Sequence, residues 1–354
     1  MKSTKRIESF DILKGLMALS IVIYHYFNWL NINPIYPIKQ TIDSLGVYAV
    51  SVFFIISGVT LYLSNANKSI DEYFLKEYFV KRLVRIVPIF YIATTVNILF
   101  MIIQSQHLDL WQIFVNYSLL FGLIDYGNYI VTGGWYVGIQ IVFYLLFPFL
   151  LWVIKKSRIG YIIIFGLSII ITLIISTYVL SEEVILAEQW ISYISPFNQL
   201  FYFMGGILFG WIYKNKIIEI KQYFLNAGII LMLLVFIFIP RTGADQIHVV
   251  TDHSRFIFSI IIFLVVFLSM YLININKNNI FNRMLNNLGE ISYSLFLLHP
   301  IVYTVTNSIL IKINVGNDIL IFLTAIAGSV IVSLLSNKYI EKSEVWNIII
   351  SKVS

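Results

Sequence analysis

Apolar runs of about 17–25 residues recur along the whole chain, separated by short polar stretches, and a run of that length is what a helix needs to cross roughly 30 Å of hydrocarbon. The runs fall near 10–30, 44–64, 86–105, 135–154, 159–180, 196–213, 224–240, 255–273, 288–310 and 317–337. The pattern therefore predicts an all-α polytopic membrane bundle of about ten transmembrane helices. Aromatic residues gather at several run ends, among them Tyr24, Tyr26, Phe27 and Trp29, Trp135 and Tyr136, and Trp211 and Tyr213, as an interfacial belt requires. The two largest connections are expected near 65–85 and 106–134, the second holding Trp111 to Phe121 in a short interfacial helix. Heptads, long Gly/Ser linkers and a soluble appendage are missing from the pattern, so 1–354 is expected to be a single membrane-embedded domain.

Charge decides the orientation. Counting connections alternately, one set holds Lys2, Lys5, Arg6, Lys68, Lys76, Lys81, Arg82, Arg85, Lys155, Lys156, Arg158, Lys214, Lys216, Lys221, Lys277, Arg283, Lys338, Lys342 and Lys352. The other set holds Lys39, Arg241, Arg255 and Lys312, beside Asp109, Asp125, Glu182, Glu183, Glu188, Asp245 and Asp252. Nineteen against four is a strong positive-inside bias, which puts the basic connections and both termini in the cytoplasm. The net charge of +6 thus reports topology and not a nucleic-acid partner. Composition agrees: 59% of residues are hydrophobic and 12% charged, with mean hydropathy +0.86, whereas a soluble domain carries roughly 25% charged residues. There is no cysteine, which excludes disulfides, thiolate metal sites and cysteine nucleophiles. The first run lacks a small-residue cleavage site, so it is expected to remain as a span and not to be a cleaved signal peptide.

Ionisable residues inside spans are expensive and mark candidate chemistry. Asp11 and Lys14 are three residues apart in the first run, so they share a helix face and are placed to pair. His25 follows Lys14 by eleven residues, close to three full turns, and lies on the same face about 16 Å further along. Spacing alone also fits a snorkelling pair at the interface and a belt histidine. A second histidine, His299, precedes Pro300 about eleven residues into the ninth run, and Pro300 frees a carbonyl that something must satisfy. Packing between helices accounts for His299 as well as chemistry does. Gln140 is a polar residue in the middle of the fourth run, and Ser51 and Ser57 flank Phe53 and Phe54 in the second. Lys81, Arg82 and Arg85 stand at the entrance to the third run. Such a cluster anchors a helix to anionic headgroups, or binds a phosphate-rich ligand.

Five stretches, in this order, resemble the bacterial acyltransferase-3 membrane proteins that O-acylate cell-surface sugars. The first is Asp11-x-x-Lys14-Gly15-Leu16 with His25 after it, and the second runs from Gly46 to Gly58 through Ser51, Phe53, Phe54 and Ser57. The third is Arg82-x-x-Arg85-Ile86-x-Pro88, and the fourth is Trp135-Tyr136-Val137-Gly138-x-Gln140 with Phe143, Tyr144 and Pro148. The fifth is Leu288-Gly289-x-Ile291-Ser292-Tyr293-Ser294-Leu295-Phe296-x-x-His299, and Tyr339-Ile340-Glu341 resembles the closing motif. Lys14 stands where many members have arginine, Gln140 where a glutamate is common, and Ser343 where a proline is usual.

The resemblance implies an O-acyltransferase, usually of acetyl groups, that takes an acyl unit from cytoplasmic acyl-CoA to a hydroxyl of a surface or lipid-linked glycan. It implies His25 as the catalytic residue and Lys14, Arg82 and Arg85 as ligands of the donor's phosphates. It further implies supporting or substrate-binding roles for Asp11, Ser51, Ser57, Trp135, Gln140, Tyr293 and His299, a bacterial cytoplasmic membrane as the location, and no metal. The reading from another class is a carrier or flippase for a lipid-linked sugar or small solute, using the same buried polar residues as a binding and proton-relay site. Its usual signs, a half-to-half repeat or a matched pair of glycine- or proline-broken spans, are missing from the sequence.

The charge sort predicts the side of every connection. Reporter fusions after residues 70, 157, 218 and 280 should read cytoplasmic, and fusions near 120, 187 and 248 external. Two or more reversed connections would sink the ten-span arrangement.

Overall fold

The computed structural model describes residues 7–272, 279–314 and 316–343. Lys2, Lys5, Arg6, Lys277 and Lys352 of the charge sort, and both chain ends, lie outside the described residues. Every regular element among the described residues is helical. In chain order these are α1 (Glu8–Trp29), α2 (Ile38–Asn65), α3 (Glu72–Ile103), α4 (Leu110–Tyr117), α5 (Phe121–Ile124), α6 (Gly134–Lys156), α7 (Arg158–Ile174) and α8 (Trp190–Tyr193). There follow α9 (Pro196–Lys214), α10 (Gln222–Phe238), α11 (Ile247–Val250), α12 (Asp252–Met270), α13 (Ile280–Glu290), α14 (Ser292–Lys312) and α15 (Asp318–Ser336). Single π-helical turns extend α7 to Val179 and α15 to Glu341.

Among the described residues eight helices are long and apolar enough to span a membrane, which makes the chain a multi-pass membrane protein. Two of the ten predicted positions differ. The sixth is α9, which falls short in apolarity because Asn198, Gln199 and three glycines interrupt it. The seventh is α10, apolar but only 17 residues long.

The basic stretch predicted as a connection up to residue 85 is helical. Asp71 caps α3 by accepting the Phe74 amide at 2.7 Å, and Glu77 takes Lys68 and Lys81 at 2.8 and 2.5 Å. These contacts supply the N-terminal carboxylate and i,i+4 pair that a helix start favours. Lys76, Lys81, Arg82 and Arg85 therefore ride on the first turns of a 32-residue helix. The ninth run also divides, at Ile291, so His299 is the eighth residue of α14 and not the eleventh of a longer span.

The chain forms two compact units, dividing inside α1 after Ser20 and inside α6 after Pro148. The first unit comprises residues up to Ser20, Asn33–Asn67 and Phe149–Gly289. Its most extensive contact is between α2 and α9, and glycine makes it. A Cβ on Gly206 would strike the Ile55 carbonyl, and one on Gly58 the Phe203 carbonyl. Small residues bring helix backbones together where lipid gives no hydrophobic drive for association. Gly15 and Gly289 do the same for the start of α1, where a Cβ on Gly289 would meet the Asp11 carbonyl. On α7 the buried side chains are Tyr161, Ser168 and Thr172, while Ile162, Ile163, Leu167, Ile170 and Ile171 are exposed. The Tyr161 hydroxyl donates to the Met204 carbonyl at 2.7 Å.

The second unit comprises Ile21–Ile32, Lys68–Pro148 and the residues from Glu290 onward. Here α14 packs on both α15 and α3, and the Tyr293 hydroxyl donates to the Ile86 carbonyl at 2.8 Å. Helix α15 buries Ile321, Ala325, Ser329, Ser333 and Ser336, a stripe of mostly small residues about one turn apart. A Cβ on Gly122 would strike the Gly138 carbonyl, which seats α5 against α6.

Leucine at Gly206 should disrupt the first unit, since overpacking costs about 1–3 kcal/mol even where side chains yield, and here the obstacle is backbone. Gly166→Leu is the control, because a Cβ there meets nothing within 4 Å. Thermal unfolding in detergent should show Gly206→Leu lowered or aggregated and Gly166→Leu close to wild type. Equal melting temperatures would mean that the α2 and α9 backbones are not in contact.

Candidate active site

The last two turns of α1 carry Tyr24, His25, Tyr26 and Trp29 into the second unit. Tyr26 and His299 are buried, and His25 is partly exposed. The His25 ring stacks on His299 with centroids 5.3 Å apart and planes at 27°. Trp29 lies nearly parallel to both, at 5.1 Å from His25 and 6.0 Å from His299. Tyr303 closes the group against Trp29 at 4.8 Å and Tyr26 at 5.3 Å.

Hydrogen bonds set the state of these groups. The Nδ1 of His299 lies 3.1 Å from the Leu295 carbonyl. A carbonyl only accepts, so Nδ1 bears the proton and, in the neutral ring, Nε2 presents a bare lone pair. That Nε2 is buried and has no hydrogen-bond partner among the described residues. Tyr26 donates to the His299 carbonyl at 2.9 Å and lies 2.6 Å from the Ser329 hydroxyl. Its one proton is spent on the carbonyl, so Ser329 is the donor of the second bond. Tyr26 thereby fixes both the last turns of α1 and the turn of α14 that precedes Pro300.

The same unit holds the paired arginines. Arg82 lies among aromatic rings, its Cζ 5.9 Å from the Tyr78 ring and 6.0 Å from that of Tyr144. Its Nε is buried without a partner among the described residues. Arg85 differs, since it lies within electrostatic reach of the Glu341 carboxylate and of the Tyr136 and Tyr293 hydroxyls. Glu341 accepts a hydrogen bond from Ser294. Ser294 has then used its proton, so the contact of 3.2 Å between Ser294 and Ser336 has Ser336 as donor.

The predicted residues fall into both units. His25, Arg82, Arg85, Trp135, Gln140, Tyr293 and His299 belong to the second, and Asp11, Lys14, Ser51 and Ser57 to the first. Asp11 and Lys14 form the ion pair that their spacing allows, at 2.8 Å. Ser51, Trp135 and Gln140 are buried. Within the second unit the structure brings His25 and His299 together, and Arg85 near Tyr293. Sequence reasoning missed Tyr26 and Ser329, which hold the histidine pair, and Glu341, which faces Arg85. Tyr26 was visible beside His25 but indistinguishable from a belt aromatic, and Ser329 is one serine among several on α15. No group of three or more histidine, aspartate or glutamate side chains placed to hold a metal ion occurs among the described residues.

Comparison with known proteins gives three results. The family model described as "Acyltransferase domain", that of the acyltransferase-3 family, matches residues 7–338. A protein of Acidianus two-tailed virus, ORF330, provisionally named an acetyltransferase, is 23% identical over 299 residues, covering 81% of this chain and 80% of its own. No solved structure matches. With the family match extending over nearly the whole chain and five of its motifs present in order, this multi-pass membrane protein belongs to the acyltransferase-3 family and is an acyltransferase.

Proposed function

We propose that the chain transfers an acyl group, acetyl above all, from acyl-CoA at the cytoplasmic face of a bacterial cytoplasmic membrane to a hydroxyl of a surface or lipid-linked glycan. The observation that supports this most is the histidine pair inside the second unit, one ring of which keeps an unspent lone pair in a buried setting. Acyl transfer to a hydroxyl needs a base at the acceptor oxygen. His25, partly exposed at the edge of the stack, is that base. It draws the hydroxyl proton as the oxygen bonds to the thioester carbonyl carbon; the carbon–sulfur bond then breaks, and the proton is returned to the departing sulfur. The Nε2 of His299 accepts a hydrogen bond from the acceptor and holds it against His25, while Trp29 and Tyr303 offer the flat apolar surface on which a sugar ring stacks.

Arg82 suits a donor phosphate better than Arg85 does. Its neighbours are aromatic and its Nε is unspent, so a phosphate oxygen gains a charge-assisted hydrogen bond without displacing a carboxylate. Arg85 has Glu341 close by, and a phosphate would compete with it. Lys14 lies in the first unit and is paired with Asp11 at 2.8 Å, so the donor assignment proposed here is carried by the arginines of the second.

Two experiments test these assignments. Arg82→Ala should weaken acetyl-CoA binding about tenfold or more, because losing a charged hydrogen bond costs about 1.5–3 kcal/mol. Arg85→Ala should do less, and equal binding by wild type and the double variant would make both arginines lipid anchors.

His25→Ala should lower glycan acylation by about a hundredfold to ten-thousandfold, with membrane insertion, acetyl-CoA binding and glycan export unchanged. His299→Asn retains a donor toward Leu295 and removes Nε2, so it should fold and lose activity, though less than His25→Ala. Mass spectrometry of surface glycan, read alongside export in the same strains, decides the matter. Persistent acylation with failed export in the His25→Ala strain would favour the carrier.

A further inference from the structure

The first unit contains a buried cation with no ion-pair partner among the described residues. Arg255, in the first turn of α12, is fully buried. Its Nη2 donates to the backbone carbonyl and side-chain oxygen of Asn198 at 3.0 and 3.3 Å. Its Nε and Nη1 make no well-formed hydrogen bond among the described residues. The ion pairs among the described residues all involve other cations. Around Arg255 are rings: Tyr193 and Tyr202 at 5.5 Å and Phe201 at 5.9 Å. Aromatic rings attract the charge, and the Tyr193 hydroxyl is an acceptor within hydrogen-bond reach of the guanidinium, but one hydroxyl does not match the planar two-pronged fork.

The surroundings extend the pattern. Tyr48 lies within electrostatic reach of both Arg255 and Arg241, and its ring stacks on Phe258 at 5.2 Å. Arg241 stands 5.9 Å from the same Phe258 ring and also has a buried, unpartnered Nε. Ser44, one helical turn before Tyr48 on α2, is fully buried with a hydroxyl that has no hydrogen-bond partner among the described residues. Asp43 is paired with Lys39 at 3.5 Å and also lies within electrostatic reach of Arg241, not of Arg255. Buried charge is retained where it is paired or where it meets a ligand, and the fully buried Arg255 is in none of the ion pairs among the described residues.

We propose that this part of the first unit is an oxyanion site, with Arg255 as its principal donor, that takes a carboxylate or phosphate group carried by the glycan acceptor. That the anion belongs to the acceptor rests on the acyl-transfer reading and on the charge sort that puts the start of α12 on the outer side. The site itself rests on neither. A lipid headgroup offers the same oxyanion chemistry, and the titration below separates the two sources.

The test is a binding titration on the full-length protein in detergent, read by tryptophan fluorescence, since Trp190 packs 5.3 Å from Tyr193. Glucuronate and inorganic phosphate are compared with glucose and with chloride at matched ionic strength, and phosphatidylglycerol with a zwitterionic lipid in nanodiscs. At least one oxyanion should give a saturable response that glucose and chloride do not. Arg255→Gln should weaken it about tenfold or more, and Arg255→Lys, which keeps the charge but loses the planar fork, should weaken it less. Ser44→Ala leaves the cation in place and should weaken binding slightly, which gives a second readout if Arg255→Gln does not fold. A wild type that responds to no oxyanion beyond chloride overturns the proposal, as does a response to phosphatidylglycerol alone. Because the readout is binding, its failure leaves acyl transfer standing, and a failure of acyl transfer leaves the anion site standing.

Discussion

Within roughly 30 Å of hydrocarbon there is no water to take up a stray hydrogen-bonding group, and this constraint governs which residues the protein turns inward. Apolar side chains are content to face lipid, so on some helices burial falls to polar and small residues. Helix α7 shows it, with Tyr161, Ser168 and Thr172 inside and its isoleucines outside. The buried Ser329, Ser333 and Ser336 of α15 show it again. Each buried hydroxyl then needs a partner, and tyrosines supply many of them by donating to carbonyls of other helices: Tyr26 to His299, Tyr161 to Met204, Tyr293 to Ile86. Glycines do the complementary work by letting backbones meet without side chains.

Against this background a minority of buried polar atoms stay unmet among the described residues. Buried nitrogen or oxygen atoms without partners include His299 Nε2 and Arg82 Nε in the second unit, and Arg255, Arg241 and Ser44 in the first. In each unit they sit beside aromatic rings. That combination excludes water while leaving donors and acceptors unspent, which is the condition under which a ligand's polar group is worth most.

The class, the approximate position of most spans and the identity of the histidines were legible in the sequence, because apolar run length and intramembrane charge are local signals. Span limits were less so. Lys76 to Arg85 read as a connection by hydropathy, yet Asp71 and Glu77 make it the start of α3. The polarity of α9 read as part of an ordinary run, while in the fold Asn198 serves Arg255. Arg255 itself looked like an outer-loop cation because an apolar window begins at it; only the packing of α8, α9 and α12 shows that it turns inward. Tyr26, Ser329 and Glu341 escaped for one shared reason. Their partners lie tens to hundreds of residues away, and no periodicity encodes such a pairing.

His299 illustrates what geometry adds to spacing. By position it fitted helix packing as well as chemistry, and a packing histidine satisfies both ring nitrogens, since an unmet one is costly in a dry interior. Here the backbone claims Nδ1 and nothing among the described residues claims Nε2. The Tyr26 hydroxyl, near enough to be an obvious donor, goes instead to the His299 carbonyl, a group that helix geometry already serves. Had stability been the only demand, the cheaper arrangement would direct a donor to Nε2 or replace the ring with leucine. An imidazole whose tautomer is fixed from the backbone and which stacks on His25 is what the proposed role of His299 toward a substrate hydroxyl requires.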